Sequence, residues 1–140
     1  VHLQLAMHSY EDSQDADGCD DVCGLLDDAM KTAPEFLWSC NNLAWELAAN
    51  EQQSNRDGEK AVELATHACE QDGWHYHGLL DTLAAAHAEA GDFEQAVVFT
   101  EKAIEAAPPV NRFEYQQNLE RYRNGQAWPT NDDLDVEEEA

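Results

Sequence analysis

Basic residues are what this chain has least of. Seven lysines and arginines stand against 30 aspartates and glutamates, a formal charge of −23 over 140 residues. A nucleic-acid duplex or an anionic bilayer is bound through clustered Lys and Arg that neutralise phosphate, so both roles are disfavoured and a basic or apolar partner is physically easier. The charge is uneven. Asp132, Asp133, Asp135, Glu137, Glu138 and Glu139 crowd the last nine residues, and Glu11, Asp12, Asp15, Asp17, Asp20 and Asp21 form a second cluster. Setting both aside leaves 18 acids against 7 bases, so the body of the chain is acidic as well. Also missing is any run of about 18 apolar residues, which excludes a membrane-spanning helix. No basic start followed by an apolar core marks a signal peptide. The chain opens on Val1 rather than Met, which suggests a processed product or an excised piece of a longer protein.

Chemistry-bearing motifs are absent too. There is no glycine-rich phosphate loop, no G-x-S-x-G and no H-E-x-x-H, and the carboxylates read as solvated faces or charge runs, so no catalytic constellation is expected. Four cysteines (Cys19, Cys23, Cys40, Cys69) lie within helical patterns rather than in the dense, loop-rich spacing of a disulfide framework. They read as small buried residues in a reducing compartment, which favours the cytoplasm. His75 and His77 flank Tyr76, and His67 and Cys69 sit together just upstream, yet nothing forms a paired C-x-x-C or comparable zinc signature. Neither a metal nor another cofactor is expected. A Cys69 pairing with His75 or His77 is explained by the abundance of both residue types.

What is present is repetition. Leu43-Ala44-Trp45-Glu46-Leu47-Ala48 lines up with Leu83-Ala84-Ala85-Ala86-His87-Ala88, offset by 40 residues. Ala61–Glu70 lines up with Ala96–Glu105, offset by 35. The difference is a five-residue insertion in the Asn50–Asp57 connection. Fainter copies lie upstream: Leu5-Ala6-Met7 begins one, and Val22, Leu26, Ala29, Met30 and Pro34 match Ala96, Thr100, Ala103, Ile104 and Pro108 in spacing. With few β-branched residues and apolar positions recurring every three or four residues, each half-repeat reads as an amphipathic helix. Helices are expected at roughly 1–10, 20–33, 36–50, 57–71, 76–90, 92–106 and 111–124. Gly91 suits a left-handed helix end, and Asp92 suits the next N-cap with Gln95 as its capping-box partner. Asp57 suits a cap as well, Gly73 a terminator, and Asn111 with Glu114 the opening of the last helix. From Trp128 onward, Pro129, Asn131 and the acid run read as a disordered tail.

These residues resemble the tetratricopeptide repeat, a helix–turn–helix of about 34 residues. The best copy is His77–Pro108, with Leu80, Leu83, Ala84, Gly91, Ala96, Ala103 and Pro108 at the family's spacing; His87 stands where a tyrosine is common and Thr100 where a bulky residue is usual. Leu37–Gly73 is a second copy with a lengthened turn, and Val1–Pro34 a truncated first one. The resemblance implies an all-α solenoid of about three such repeats (about 1–34, 37–73 and 77–108) with a capping helix at 111–124. That makes a repeat domain over 1–128 and an acidic tail over 129–140. The small residues Ala44, Ala61, Ala68, Ala84, Ala96 and Ala103 fall where helices of the family approach closely.

The resemblance also implies a site. Groove-facing positions of the family fall on Leu3, Met7 and Tyr10, then Trp38, Asn41 and Trp45, then Asp81, Ala85 and Glu89. Trp38 and Trp45, seven residues apart, share one helix face and would anchor apolar side chains, with Asp81 and Glu89 meeting a Lys or Arg. Packing of both indoles against the preceding hairpin is the alternative. The basic positions with which some members grip a C-terminal carboxylate fall here on Leu3, Gly78 and Thr82, and only Asn42 fits, so such a clamp is not expected. The functional expectation is a non-catalytic scaffold that binds a protein or peptide in its concave groove. A structural, oligomerising segment of a longer protein is the alternative, since an uncapped N-terminal edge exposing Leu3 and Leu5 invites self-association. The acidic tail is either a solubilising end or a strap folding onto Arg112, Arg121 and Arg123.

Overall fold

Thirteen residues, Leu37–Ala49, build the first helix described, α1, because Leu37, Cys40, Leu43, Ala44, Leu47 and Ala48 recur at helical spacing and bury one face. The computed structural model describes residues 36–130. The helices expected at 1–10 and 20–33 lie outside those residues, as does the part of the expected 129–140 tail beyond residue 130. Four more helices follow: α2 (Gly58–Asp72), α3 (His77–Glu89), α4 (Phe93–Ala106) and α5 (Pro109–Arg123). The described residues are thus all-helical, with no strand among them.

Local chemistry sets the boundaries. Asp57 Oδ1 accepts from the Lys60 N–H at 3.2 Å to open α2, and Asp92 Oδ1 accepts from the Gln95 N–H at 3.2 Å to open α4. Each satisfies one of the donors that a helix start leaves without a partner. The reciprocal half of the expected capping box is not made, because the Asp92 N–H is already held by the His87 carbonyl at 2.8 Å. Gly91, at φ 89°, supplies the left-handed residue that lets the chain reverse between α3 and α4. The last helix starts two residues earlier than Asn111. Pro109 takes its first position, where a missing N–H costs nothing and the ring presets a helical φ.

Consecutive helices pack against one another, and α1 also packs on α3. α3 lies centrally. It buries Leu79, Leu80, Thr82, Leu83, Ala84, Ala85, Ala86 and Ala88 on most of its circumference, which a surface helix would not tolerate. Close approach is made by alanine: Ala44, Ala61, Ala68, Ala84, Ala96 and Ala103 are all completely buried. The leucines fill the remaining volume, each contributing about 1.5–3 kcal/mol by leaving water. Thr100 is also fully buried, and its hydroxyl donates to the Ala96 carbonyl at 2.8 Å. A threonine can therefore stand where a larger side chain was expected. Against α3, α5 is held mainly by side chains. The Tyr115 hydroxyl lies 2.7 Å from His77 Nδ1, and Asn118 Nδ2 donates to Asp81 Oδ1 at 3.3 Å.

Candidate functional site

The lengthened Asn50–Asp57 connection is built around one short 3-10 turn, Gln53–Asn55. It begins with Asn50 Oδ1 accepting from the Gln52 N–H at 2.9 Å. It ends by carrying Arg56 inward, where the side chain is completely removed from solvent. Arg56 Nε donates to the Asn50 carbonyl at 2.7 Å and Nη1 to Glu89 Oε1 at 2.9 Å. Nη1 also donates to the Trp128 carbonyl at 2.8 Å, and Nη2 to the Pro129 carbonyl at 3.1 Å. A buried guanidinium is tolerable only with this degree of satisfaction, because an unpaired one would cost several kcal/mol.

Three helices and the segment after α5 enclose a cleft of about 400 Å³ lined by Asn41, Asn42, Trp45 and Glu46 of α1, Asp81 and Thr82 of α3, Glu114 of α5, and Trp128. A second cleft of about 480 Å³ shares Trp45, Glu46 and Trp128 as walls. The two indoles meet edge to face, with ring centres 5.0 Å apart and planes at 70°, a favoured geometry for aromatic pairs. Arg121 sits over the Trp128 ring, 5.0 Å from its centre.

The first cleft is acidic. Glu46, Asp81 and Glu114 line it, with no Lys or Arg among the lining residues. Burial pushes the Asp81 carboxyl up to about 7, and the nearby Glu114 charge adds to this; the hydrogen bond from Asn118 opposes it. At the same wall the buried side-chain oxygen of Asn41 accepts no hydrogen bond. The cleft therefore offers aromatic surface, three carboxyl groups and an unsatisfied amide oxygen, which together suit an apolar group carrying a cation or an N–H donor.

The nine positions singled out from sequence have separate fates. Leu3, Met7 and Tyr10 lie outside the described residues. Asn41, Trp45 and Asp81 come together in the cleft. Trp38 is half exposed and stands apart from them, its ring edge-on to Tyr76 with centres 5.3 Å apart. From there an aromatic row continues through Tyr76–His77 and His77–Tyr115 contacts. Ala85 lines nothing, because it is completely buried in the core. Glu89 is taken by Arg56 and by Gln53 Nε2 at 2.6 Å, and only 10% of its side chain is exposed. The groove assignment assumed a solvent-facing carboxylate, and the inserted connection covers it. Thr82 and Asn42 both line the cleft, Thr82 nearly buried with its hydroxyl donating to the Gly78 carbonyl at 3.1 Å.

Sequence reasoning missed Trp128, Glu114 and Arg56. Trp128 and Pro129 fell in the stretch read as tail; the one available signal was a large aromatic just past a helix-ending Gly125. The arginines imagined as docking points for that tail have partners among the described residues. Arg123 pairs with Glu101 at 3.3 Å, Arg121 Nη1 donates to Asn118 Oδ1 at 3.1 Å, and Arg112 Nε to the Ala107 carbonyl at 3.3 Å. Cys40 and Cys69 are completely buried. Burial pushes the Cys69 thiol up to about 12, with the charges of Asp72 and Glu70 adding to it, which is the opposite of an activated nucleophile. His77 is engaged with Tyr115, and His75 Nδ1 lies 3.3 Å from the Asp72 carbonyl.

Compared with known proteins, the chain matches no protein-family model, no curated protein and no solved structure.

Proposed function

We propose that this chain is a non-catalytic interaction module, resembling a tetratricopeptide-repeat solenoid, that binds a protein or peptide through the face formed by α1, α3 and α5. One observation carries the reading: Asn41, Trp45 and Asp81, from two different helices, line a single acidic cleft with an aromatic wall. The partner is an extended segment that places an apolar side chain on Trp45 and a Lys or Arg near Asp81, Glu46 and Glu114. Tetratricopeptide character is supported by the alternation of helix and short turn, by the six buried alanines at the repeat's close-packing positions, and by the first helix of each pair supplying the cleft. The chain acts without a cofactor. Among the described residues no helix is long and apolar enough to cross a membrane.

The test is a pull-down with the full chain and with its Trp45→Ala variant, whose helicity is checked by circular dichroism. The groove reading expects partners captured by the parent chain to be lost from the folded Trp45→Ala variant. Capture of the same partners by both proteins rejects it.

A structural role is the second reading, and it is favoured by a different surface. Val110 and Phe113 on the outer side of α5 are 84% and 69% exposed. Two large apolar side chains one turn apart at the end of a helical stack suit the docking of a further helix or a second copy. Sedimentation equilibrium over a hundredfold concentration range tests this role, with Phe113→Ser expected to abolish any self-association.

A further inference from the structure

The segment after α5 is arranged as a ligand. Gly125, at φ 71°, turns the chain out of the helix, and the Gln126 N–H closes the turn on the Arg121 carbonyl at 3.0 Å. Ala127 packs into the small cluster around Tyr122. Trp128 then packs edge to face on Trp45 of α1 and forms a wall common to the two clefts, which also share Trp45 and Glu46. Beyond it one guanidinium receives two successive backbone carbonyls, from Trp128 and Pro129. Proline fits the second position because it has no N–H to satisfy and its ring restricts the backbone. Trp45, Arg56 and the acidic wall thus form a receptor, and an aromatic ring followed by two carbonyls forms what it receives. Nothing in this recognition depends on the two parts belonging to one chain.

We propose that Trp128-Pro129 is a resident, displaceable occupant of the cleft, and that the external partner is an extended peptide presenting its own aromatic-proline pair to Trp45 and Arg56. The proposal rests on the groove reading above and names the chemistry of its partner. Competition follows from the tether. A segment joined by a few residues has an effective concentration on the order of millimolar. A peptide of about 100 µM intrinsic Kd would consequently be weakened about tenfold by the resident segment.

The probe is a labelled synthetic peptide with the sequence of residues 124–131, titrated by fluorescence anisotropy into the full 140-residue chain and into its Trp128→Ala variant. The variant is expected to bind it about tenfold more tightly than the parent. Binding should be lost when Trp45→Ala is added, or when the peptide's tryptophan is replaced by alanine. Equal affinity for both chains, or no binding to a folded variant at millimolar peptide, overturns the proposal. If Trp128→Ala fails to fold, hydrogen exchange in the parent chain decides: millimolar peptide must accelerate exchange at residues 126–130, and unchanged exchange overturns the proposal. A concentration-dependent dimer without peptide binding also overturns it, by assigning the segment to exchange between copies. If the partner captured through Trp45 in the pull-down binds parent and Trp128→Ala chains equally, the resident-occupant proposal fails while the groove reading stands.

Discussion

Replacing Asp81 by asparagine is expected to stabilise the protein at pH 8 and to leave it unchanged at pH 4. In the folded chain the Asp81 carboxyl is pushed from 3.8 up to about 7, chiefly by burial. An acid with a raised folded value binds more protons folded than unfolded between those limits. Its contribution to stability is therefore complete below about 3.8 and is lost as the pH climbs through about 7. A displacement of roughly three pH units corresponds to about 4 kcal/mol at 1.36 kcal/mol per unit. The cleft opens to water, so a discounted figure of about 2 kcal/mol is the better expectation. Asparagine has nearly the same shape, keeps an oxygen for Asn118 Nδ2 and carries no charge to desolvate. Thermal unfolding followed by circular dichroism from pH 4 to pH 8 measures the difference between parent and D81N, so that the general titration of this acidic chain largely cancels. A chain of this length shifts its Tm by about 3–5 °C per kcal/mol, so D81N should lie about 6–10 °C higher at pH 8 and converge with the parent near pH 4. An offset that does not vary with pH, or none at pH 8, would refute the reasoning. A cation seated beside Asp81 should also draw off its proton, making the calorimetric binding enthalpy near pH 7 depend on the buffer.

Other expectations rest on separate features. Arg56→Gln leaves Glu89 buried without its charge partner, and a loss of about 3–5 kcal/mol in urea unfolding is expected; a loss under about 1 kcal/mol would show that Glu89 finds water instead. Gly58→Ala would place a Cβ 2.5 Å from the Ala90 nitrogen, where backbone must give way, so a cost of about 1–3 kcal/mol is expected. Gly91→Ala meets no atom within 4 Å and is penalised only by its positive φ, by about 1 kcal/mol; a larger loss for Gly91→Ala than for Gly58→Ala would contradict the packing. With its thiol held up at about 12, Cys69 should resist alkylation at pH 8 until the chain unfolds. Mass-spectrometric mapping that finds Cys69 modified in the native protein would refute this.

Much of the helical architecture was legible because it is encoded locally. Gly91 and Asp92 mark a boundary by their own conformational preferences, and the six repeated alanines mark close contacts by size alone. The cleft was legible only where a repeat position and a helix face coincide, as at Asn41, Trp45 and Asp81. Ala85 and Glu89 show the limit. Spacing places a residue on a helix, but what covers that helix depends on segments arriving from elsewhere. Here the coverings are the inserted connection, whose Arg56 takes Glu89, and Trp128, a residue 83 positions beyond Trp45. Neither contact leaves a periodic signature, because each is made by an irregular stretch. The start of α5 was missed for a smaller reason: Asn111 is a good cap by type, but Pro109 had already begun the helix.

The buried arginine changes how such a chain can come apart. A row of helix pairs in which each touches only its neighbours can lose its last element first, because nothing upstream holds it. In this chain the guanidinium at position 56 grips carbonyls 72 and 73 residues downstream while its carboxylate partner sits on the central helix. Peeling away α5 and the segment behind it would strip two hydrogen bonds from a fully desolvated ion near the opposite end of the described chain. The irregular connection thus ties the C-terminal segment to the central helix in a closed ring of dependencies. While that segment, or a peptide in its place, is bound to Arg56, loss of the helices should gather into one concerted step instead of proceeding inward from α5.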